Sequence, residues 1–597
     1  MALAEIDNAT NLIGLFLDRA NEKQDAPFLA AKKDGEWLTQ SWANVADQVC
    51  IMAENLLALG LDEGDRVCIV SENRPEWCIA DLAVMAAGCI SVPTYITNTA
   101  RDHAHILENS GARAVFVSNE KLLSPLASAI ISTGMVEHVI GIEDLRRQQS
   151  GSFEYHSWAK MTQGDIAASR QKVATRISQI PRDRTACIIY TSGTGGAPRG
   201  VMQHHGAILC NVAGAAEIVQ EDFGIQDERF LSFLPASHSY EHTGGQFLPI
   251  GVGAEIYYSE GLEKLASNIE ETRPTLMVVV PRLFEVLRTR IMKQVQKQGK
   301  VANFLMDRAL LMGEVGRKRK RDIPMNFVLE KTLRPKIRSK FGGRMKAMVS
   351  GGAPLNPEVG NFFEAMGLTM LQGYGQTEAG PVISCNRPKA GLKMDTVGPP
   401  LRGVEVKIAA DGEILVRGEL VMHGYWRNKP ESDRVIRDGW LHTGDVGHID
   451  GAGRVVITDR KKDLIVNDKG DNVAPQKIEG MLTLQPEIAQ AMVAGDRRPY
   501  LVGLVVPDAE WALDWANAND EKFNMADLQN LPAFKSAMRE AIDRVNADLS
   551  VIEKVRSFTF SDEAFTIENE EMTPSLKIRR HKIRERYQER LDSLYKK

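Results

Sequence analysis

The chain is 597 residues long, more than one hydrophobic core supports, so at least two domains are expected. Its 43% apolar and 25% charged residues are ordinary for a folded soluble protein, and the net charge of −5 argues against a nucleic-acid partner, which favours a basic surface. Seven scattered cysteines form no CxxC pair and total an odd number, which excludes a disulfide framework and fits a reducing cytoplasm.

In chain order, Met1 to Asp7 lacks a basic stretch followed by a long apolar core, so no secretory signal is expected. The longest apolar stretch, Leu82 to Ile96, carries Gly88, Ser91, Pro93 and Thr94 and is too short to cross a bilayer. It reads as a buried helix running into a strand. Short β-rich runs at 66–70, 89–92, 113–117 and 139–142 are separated by segments of helical period, which predicts α/β layers around a largely parallel sheet.

The apolar run Ala186 to Ile189 leads into Tyr190-Thr-Ser-Gly-Thr-Gly-Gly-Ala-Pro-Arg-Gly-Val201. Gly193, Gly195, Gly196 and Gly200 keep Cβ atoms away, so backbone N–H groups can converge on an anion while Thr191, Ser192 and Thr194 add hydroxyls. A plain surface turn would not need three hydroxyls at the end of an apolar strand. The stretch reads as a phosphate cradle, but not a Walker A loop, because Val201 and Met202 follow Gly200 where Lys and Ser/Thr would stand.

Strand-like runs resume at 230–234, 254–258, 276–280 and 345–349, giving two doubly wound α/β subdomains in one large N-terminal unit. His238 sits in a polar loop after one of these strands. The basic run Arg317 to Arg321 reads first as a solvated loop or helix end; the second reading is attraction to anionic lipid, about 1 kcal/mol per basic residue. Ser350-Gly-Gly-Ala-Pro354 is a turn ahead of a helix start at Asn356. In Gln372-Gly-Tyr-Gly-Gln-Thr-Glu378 the glycines leave the face of Tyr374 open to a planar base, and Glu378 suits Mg²⁺, which takes one or two carboxylates plus phosphate oxygens.

Beyond Pro400 hairpins dominate, around Asp411-Gly412 and Asp450-Gly451, and a small β subdomain is expected over about 401–459. Asp445 there suits a bidentate hydrogen bond to two hydroxyls. The remainder, 463–597, has a hairpin from Gln490 to Pro507 and helices enough for a small α+β domain.

The loop 190–201 resembles the fingerprint of the adenylate-forming superfamily of acyl-CoA synthetases, luciferases and peptide-synthetase adenylation domains. Gly195 stands in place of a Thr and Arg199 in place of a Lys; Arg keeps the cation. Later motifs follow in that family's order as far as Met572-Thr-Pro-Ser-Leu-Lys-Ile-Arg-Arg580. The resemblance implies that Thr191, Ser192, Gly193, Thr194 and Arg199 hold ATP phosphates, with Mg²⁺ at Thr194 and Glu378. It places Gly352 and Ala353 at the adenine site and acyl-pocket wall, Gly373, Tyr374 and Gly375 at adenine, and Thr377 near the α-phosphate. Asp445 and Arg460 go to the ribose or phosphate, His238 near the carboxylate, and Lys577 becomes the catalytic lysine, with Glu378 completing the catalytic set.

It further implies an N-terminal adenylation domain over 1–459, a hinge at 460–462 that includes Lys462, and a mobile C-terminal domain over 463–597. Gly470 then belongs to a loop, Lys469 to Val473, that lines the pantetheine tunnel. The implied reaction joins a fatty acid to CoA through an acyl-adenylate, consuming ATP, and the length with Val280 to Glu285 and Ser237 to Glu241 looks most like the long-chain branch. Two alternatives stay open: transfer to a carrier-protein arm, and an adenylate-binding sensor without turnover. The expected setting is cytoplasmic, as monomer or homodimer, with peripheral contact at a membrane face.

Overall fold

The computed structural model describes residues 3–145, 153–191, 198–314, 323–469, 471–573 and 577–596. Two large sheets dominate. The first has seven strands in the order Glu154–Ser157, His138–Gly141, Ala114–Val117, Arg66–Val70, Ile90–Pro93, Thr185–Thr191 and Arg199–His204. All are parallel except the last, which returns antiparallel along Thr185–Thr191. The second has eight: a parallel centre of Met370–Gly375, Ala347–Ser350, Leu276–Val279, Arg229–Ser232, Glu255–Tyr258 and Pro27–Lys33, with antiparallel Val382–Cys385 and Glu36–Ser41 at its ends.

Central strands such as Ala114–Val117 and Leu276–Val279 are buried at every position, as a parallel strand covered by helices on both faces must be. The helix Pro75–Ala86 is apolar all round and buried at every residue but Glu76, which suits a helix held between layers and not at a surface. Residues of both sheets, Val67 and Phe116 with Phe230 and Leu276, join it in one core together with the helix His205–Phe223.

A buried carboxylate lies within that core. Asp81, fully buried on the helix Pro75–Ala86, accepts from Ser91 Oγ (2.6 Å), Gln246 Nε2 (2.9 Å) and His242 Nε2 (2.9 Å). Ser91 lies in the first sheet, whereas His242 and Gln246 lie on a π-helical turn, His242–Phe247, beside the second, so the three bonds tie the layers together.

The strands between Glu405 and Arg460 form a separate five-stranded antiparallel sheet. Beyond it, Ile488–Ala494, Leu501–Pro507 and Val555–Phe560 make a three-stranded sheet with its own core, covered on one side by Pro475–Leu482 and Pro532–Ala547 and on the other by Arg580–Ser593. The fold class is therefore α/β, with a small α+β C-terminal part. The sequence reading passes over the hairpin Pro27–Lys33/Glu36–Ser41, the edge strand Glu154–Ser157 and the return strand Arg199–His204. Glu36–Ser41 and Glu154–Ser157 are edge strands with polar residues at most positions and Arg199–His204 is polar at Arg199, Gln203 and His204, so they lack the apolar run that marks a central strand, whereas Pro27–Lys33 carries a short apolar run that ends in two lysines. The basic run 317–321 lies outside the described residues. No helix among the described residues is long and apolar enough to cross a membrane.

Replacing Asp81 by Ala leaves three buried donors without their acceptor. The variant is expected to lose about 3 kcal/mol of stability, read as a lower urea midpoint with an unchanged slope; an unaltered midpoint would mean that the layers do not depend on this carboxylate.

Candidate active site

A cleft of about 1420 Å³ opens where the C-terminal ends of strands from both large sheets converge and the later units close over them. Thr191 ends one strand; Gly351, Gly352 and Ala353 follow Ala347–Ser350; Gly373, Tyr374 and Gly375 end another, and Thr377 and Glu378 start the next turn. Close packing fixes these turns. A Cβ on Gly351 would stand 2.7 Å from the Tyr240 ring, and one on Gly375 would stand 1.8 Å from the Pro381 carbonyl oxygen. Gly352 has φ of +81°, where other residues are strained.

Hydrogen bonds then cross-link the turns. Ser239 Oγ and Thr377 Oγ1 are 2.9 Å apart, Gln203 Nε2 donates to the Thr377 carbonyl (2.7 Å), and Tyr240 Oη donates to that of Val349 (2.8 Å). Neighbouring His238 accepts the Tyr240 N–H at Nδ1 (3.1 Å), which leaves the proton of a neutral ring on Nε2. Burial and the nearby Lys577 charge push its pKa down to about 3, so the ring stays neutral at physiological pH.

Acidic and basic side chains come from several separate segments. Glu378 Oε1 accepts from Tyr425 Oη (2.8 Å), and the Arg199 guanidinium lies 4.5 Å from the centre of the Tyr425 ring while pairing with Glu431. Asp445 is buried, with Oδ2 accepting from Tyr374 Oη (2.8 Å) and Oδ1 from Arg460 Nε (3.1 Å). Lys577 arrives from the C-terminal part, its Cε 4.0 Å from where a Cβ on Gly352 would be. Its backbone N–H donates to Thr573 Oγ1 (3.1 Å), and Arg580, three residues on, is locked to buried Glu479. Desolvation, then Arg460, push the Lys577 pKa down to about 8, with Asp445 and Glu378 opposing.

Thr191, Arg199, His238, Gly352, Ala353, Gly373, Tyr374, Gly375, Thr377, Glu378, Arg460 and Lys577 all line this cleft. Asp445 stands behind Tyr374 and Arg460. Ser192, Gly193, Thr194 and Gly470 lie outside the described residues. Tyr374 lines the cleft although only 7% of it is exposed, and it belongs to the same apolar cluster as Val201, Ile383 and Val416. Its hydroxyl, spent on Asp445, is what ties the turn to the small β sheet. Glu378 supplies the hard oxygen that Mg²⁺ prefers and lines the cleft.

A family model described as "AMP-binding enzyme" matches residues 16–426, and one described as "AMP-binding enzyme C-terminal domain" matches 462–597. The chain belongs to the AMP-binding enzyme family. Similar curated proteins include the long-chain-fatty-acid–CoA ligase FadD15 of Mycobacterium tuberculosis, 31% identical over 97% of this chain and 96% of that one. Another is the chloroplastic long-chain-fatty-acid–[acyl-carrier-protein] ligase AEE15 of Arabidopsis thaliana, 27% identical over 94% of this chain and 83% of that one. The adenylation domain of a carboxylate reductase from Mycobacterium chelonae has the same fold, with a TM-score of 0.76 at 21% identity, covering 100% of this chain and 93% of that one.

In this AMP-binding enzyme, sequence reasoning misses Tyr425 and Glu431, the partners of Glu378 and Arg199. They come to the site because Tyr425 bridges Val201 across more than two hundred residues, and no local motif announces that pairing. The aromatic pair Tyr425-Trp426 after Gly424 is the signal that was present.

Because its pKa is depressed, Lys577 carries its charge below about pH 8 and loses it as the pH rises through that value. Competitive labelling of the free protein with acetic anhydride should give Lys577 a midpoint there, against the usual ~10.4 of exposed lysines. Arg460→Gln should move the midpoint upward. A wild-type midpoint in the ordinary lysine range would show that the side chain is not held in the cleft.

Proposed function

We propose that the protein is an ATP-dependent, AMP-forming ligase that joins a medium- to long-chain fatty acid to CoA. The observation that carries this reading is the placing of Lys577, from the C-terminal part, beside Gly352 in a cleft with two characters. One side bears Thr191, Arg199, Glu378 and Arg460, suited to a polyphosphate; the other runs inward between the helix His205–Phe223 and the second sheet. Ile218, Val219, Phe230, Leu276, Leu371 and Leu401 line that inner branch, an apolar wall suited to a hydrocarbon chain.

In this reading the acid's carboxylate enters from the apolar branch and attacks the α-phosphorus of ATP. The bond to the bridging oxygen breaks and pyrophosphate leaves. Lys577, charged at neutral pH, faces both the carboxylate and the α-phosphate and offsets the charge that builds up as the bond forms. Neutral His238 offers Nε2–H to a carboxylate oxygen and Thr377 its hydroxyl to the phosphate. Glu378 would hold Mg²⁺, whose chemistry is to neutralise phosphate charge. The mixed anhydride has a far better leaving group than a free carboxylate, so the CoA thiolate can attack its carbonyl and release AMP.

The thiolate must reach the carbonyl that Lys577 faces, and one arrangement does not place both there. We infer that the C-terminal part, 463–597, turns about 460–462 between the two steps. Lys462 is exposed in a turn where the N–H groups of Asp463 and Leu464 both bond to the Arg460 carbonyl, 3.0 Å each. A second reading, transfer to a carrier-protein arm, is favoured by the likeness to the acyl-carrier-protein ligase AEE15. A sensor without turnover would have no use for a lysine desolvated in the cleft.

CoA-dependent AMP release across acids from acetate to oleate tests the substrate class, with the highest kcat/KM expected for medium to long chains. A clear preference for acetate or an aryl acid would overturn it; pyrophosphate exchange without CoA thioester would favour the carrier-protein reading. The two steps separate by mutation. Lys577→Ala should slow adenylation by about 10²–10³-fold yet let CoA react with synthetic acyl-adenylate. Lys462→Pro should do the reverse, because a fixed φ restricts the turn after the first step. Equal loss of both half-reactions in both folded variants would rule out the two-arrangement cycle.

A further inference from the structure

The far edge of the first sheet carries a cluster that the ligase chemistry does not use. His138 lies on the strand His138–Gly141, and Glu154 and His156 lie two residues apart on the edge strand Glu154–Ser157. The strands run parallel with His138 opposite Glu154 and Ile140 opposite His156, so the alternation of side chains puts all three on one face. His138 Nδ1 and His156 Nε2 are 3.2 Å apart, and Glu154 Oε2 is 3.8 Å from each. Both imidazoles are buried, with 8% exposure each, whereas Glu154 is exposed.

These three distances define a triangle whose corners all lie about 2.1 Å from one interior point, the length of a Zn–N or Zn–O bond. The three atoms belong to ligand types that a borderline divalent ion prefers, two imidazole nitrogens and one carboxylate oxygen. Mg²⁺ is a poor fit, since it demands oxygen ligands in an octahedron. An imidazole pair joined by a simple hydrogen bond would need no carboxylate between its two nitrogens and water.

We propose that His138, Glu154 and His156 form a binding site for a divalent transition-metal ion of the Zn²⁺ class, with solvent water as fourth ligand on the Glu154 side. Loading is balanced: the one N–H shared between the two neutral rings moves to the other nitrogen of its own ring, and both facing nitrogens give lone pairs to the metal. The site joins the edge strand to its neighbour, which both stabilises the native chain and blunts an exposed sheet edge. It is separate from the active cleft, because five strand spacings, about 24 Å, lie between this edge strand and Thr185–Thr191. The proposal therefore stands independently of the ligase reading.

The test uses the full chain, stripped with EDTA and titrated with ZnCl₂ by calorimetry in millimolar Mg²⁺, and separately with Co²⁺ followed by visible absorption. Wild type should bind one Zn²⁺ at micromolar affinity or tighter, give an intense four-coordinate Co²⁺ band, and gain thermal stability on loading. Glu154→Gln, an exposed change that leaves the fold intact, should weaken Zn²⁺ binding at least tenfold and remove the thermal gain. His138→Gln and His156→Gln should abolish the Co²⁺ band, with a circular-dichroism spectrum of the zinc-free chain matching wild type as the check on folding. Binding that survives in all three variants would assign the metal to others of the twelve histidines and overturn the proposal. So would a wild-type chain that takes up no Zn²⁺ at a hundred-micromolar concentration.

Discussion

One buried carboxylate sets the geometry of the cleft. Asp445 belongs to the small β sheet, accepts from Tyr374 at the end of a strand of the second large sheet, and accepts from Arg460 at the point where the chain leaves for its C-terminal part. A charge with 3% exposure is tolerated only when paired and hydrogen-bonded, so the three pieces are held to one another through its two oxygens. The consequences run onward as electrostatics. Arg460, fixed by Asp445, helps lower the Lys577 pKa, and the Lys577 charge in turn disfavours a proton on His238.

This arrangement puts two cations, Arg460 and Lys577, in a desolvated space, with Asp445 and Glu378 opposing both and Asp463 opposing Arg460. Glu378 is partly engaged by Tyr425, and Arg199 has its own partner in Glu431. A polyanion would relieve the repulsion, and its departure would restore it. In the proposed cycle the closed arrangement is thus favoured while the triphosphate is bound and weakened once pyrophosphate has gone, which is the order that the second step requires. The C-terminal part is also held by an exposed pair, Lys293 with Glu510 (2.6 Å). Exposed pairs contribute little each and break readily, as a movable interface needs.

The fold class was legible because parallel strands buried on both faces read as uninterrupted apolar runs, and the active-site turns were legible because glycine and hydroxyl residues cluster at strand ends. What escaped was long-range pairing. Nothing near Glu378 in sequence points to Tyr425, and nothing in Gly373-Tyr374-Gly375 says that the ring packs inward; its flanking glycines answer to Pro381 and the neighbouring strands as much as to any ligand. Polar edge strands escaped for the opposite reason, a lack of apolar signal. His156 belongs to that group, and eighteen residues separate it from His138, which only the parallel register brings beside it.

The core and the cleft are mechanically continuous through the stretch after His238. Asp81 holds His242 and Gln246, and thereby fixes the wide π-helical turn His242–Phe247, a form found mostly at functional sites. Glu241, one residue before it, accepts from Ser232 Oγ (2.5 Å) and is so desolvated that its pKa rises to about 8, which keeps it mostly protonated and removes a charge that the core could not bear. A Cβ on Gly245 would lie 2.3 Å from this carboxyl, so the turn leaves no room for a larger residue. With both ends of the segment fixed, Ser239 meets Thr377, Tyr240 backs Gly351, and His238 is left to face Lys577. The neutral donor that faces the charged lysine is therefore placed by an acid buried between the sheets, on a helix that does not line the cleft.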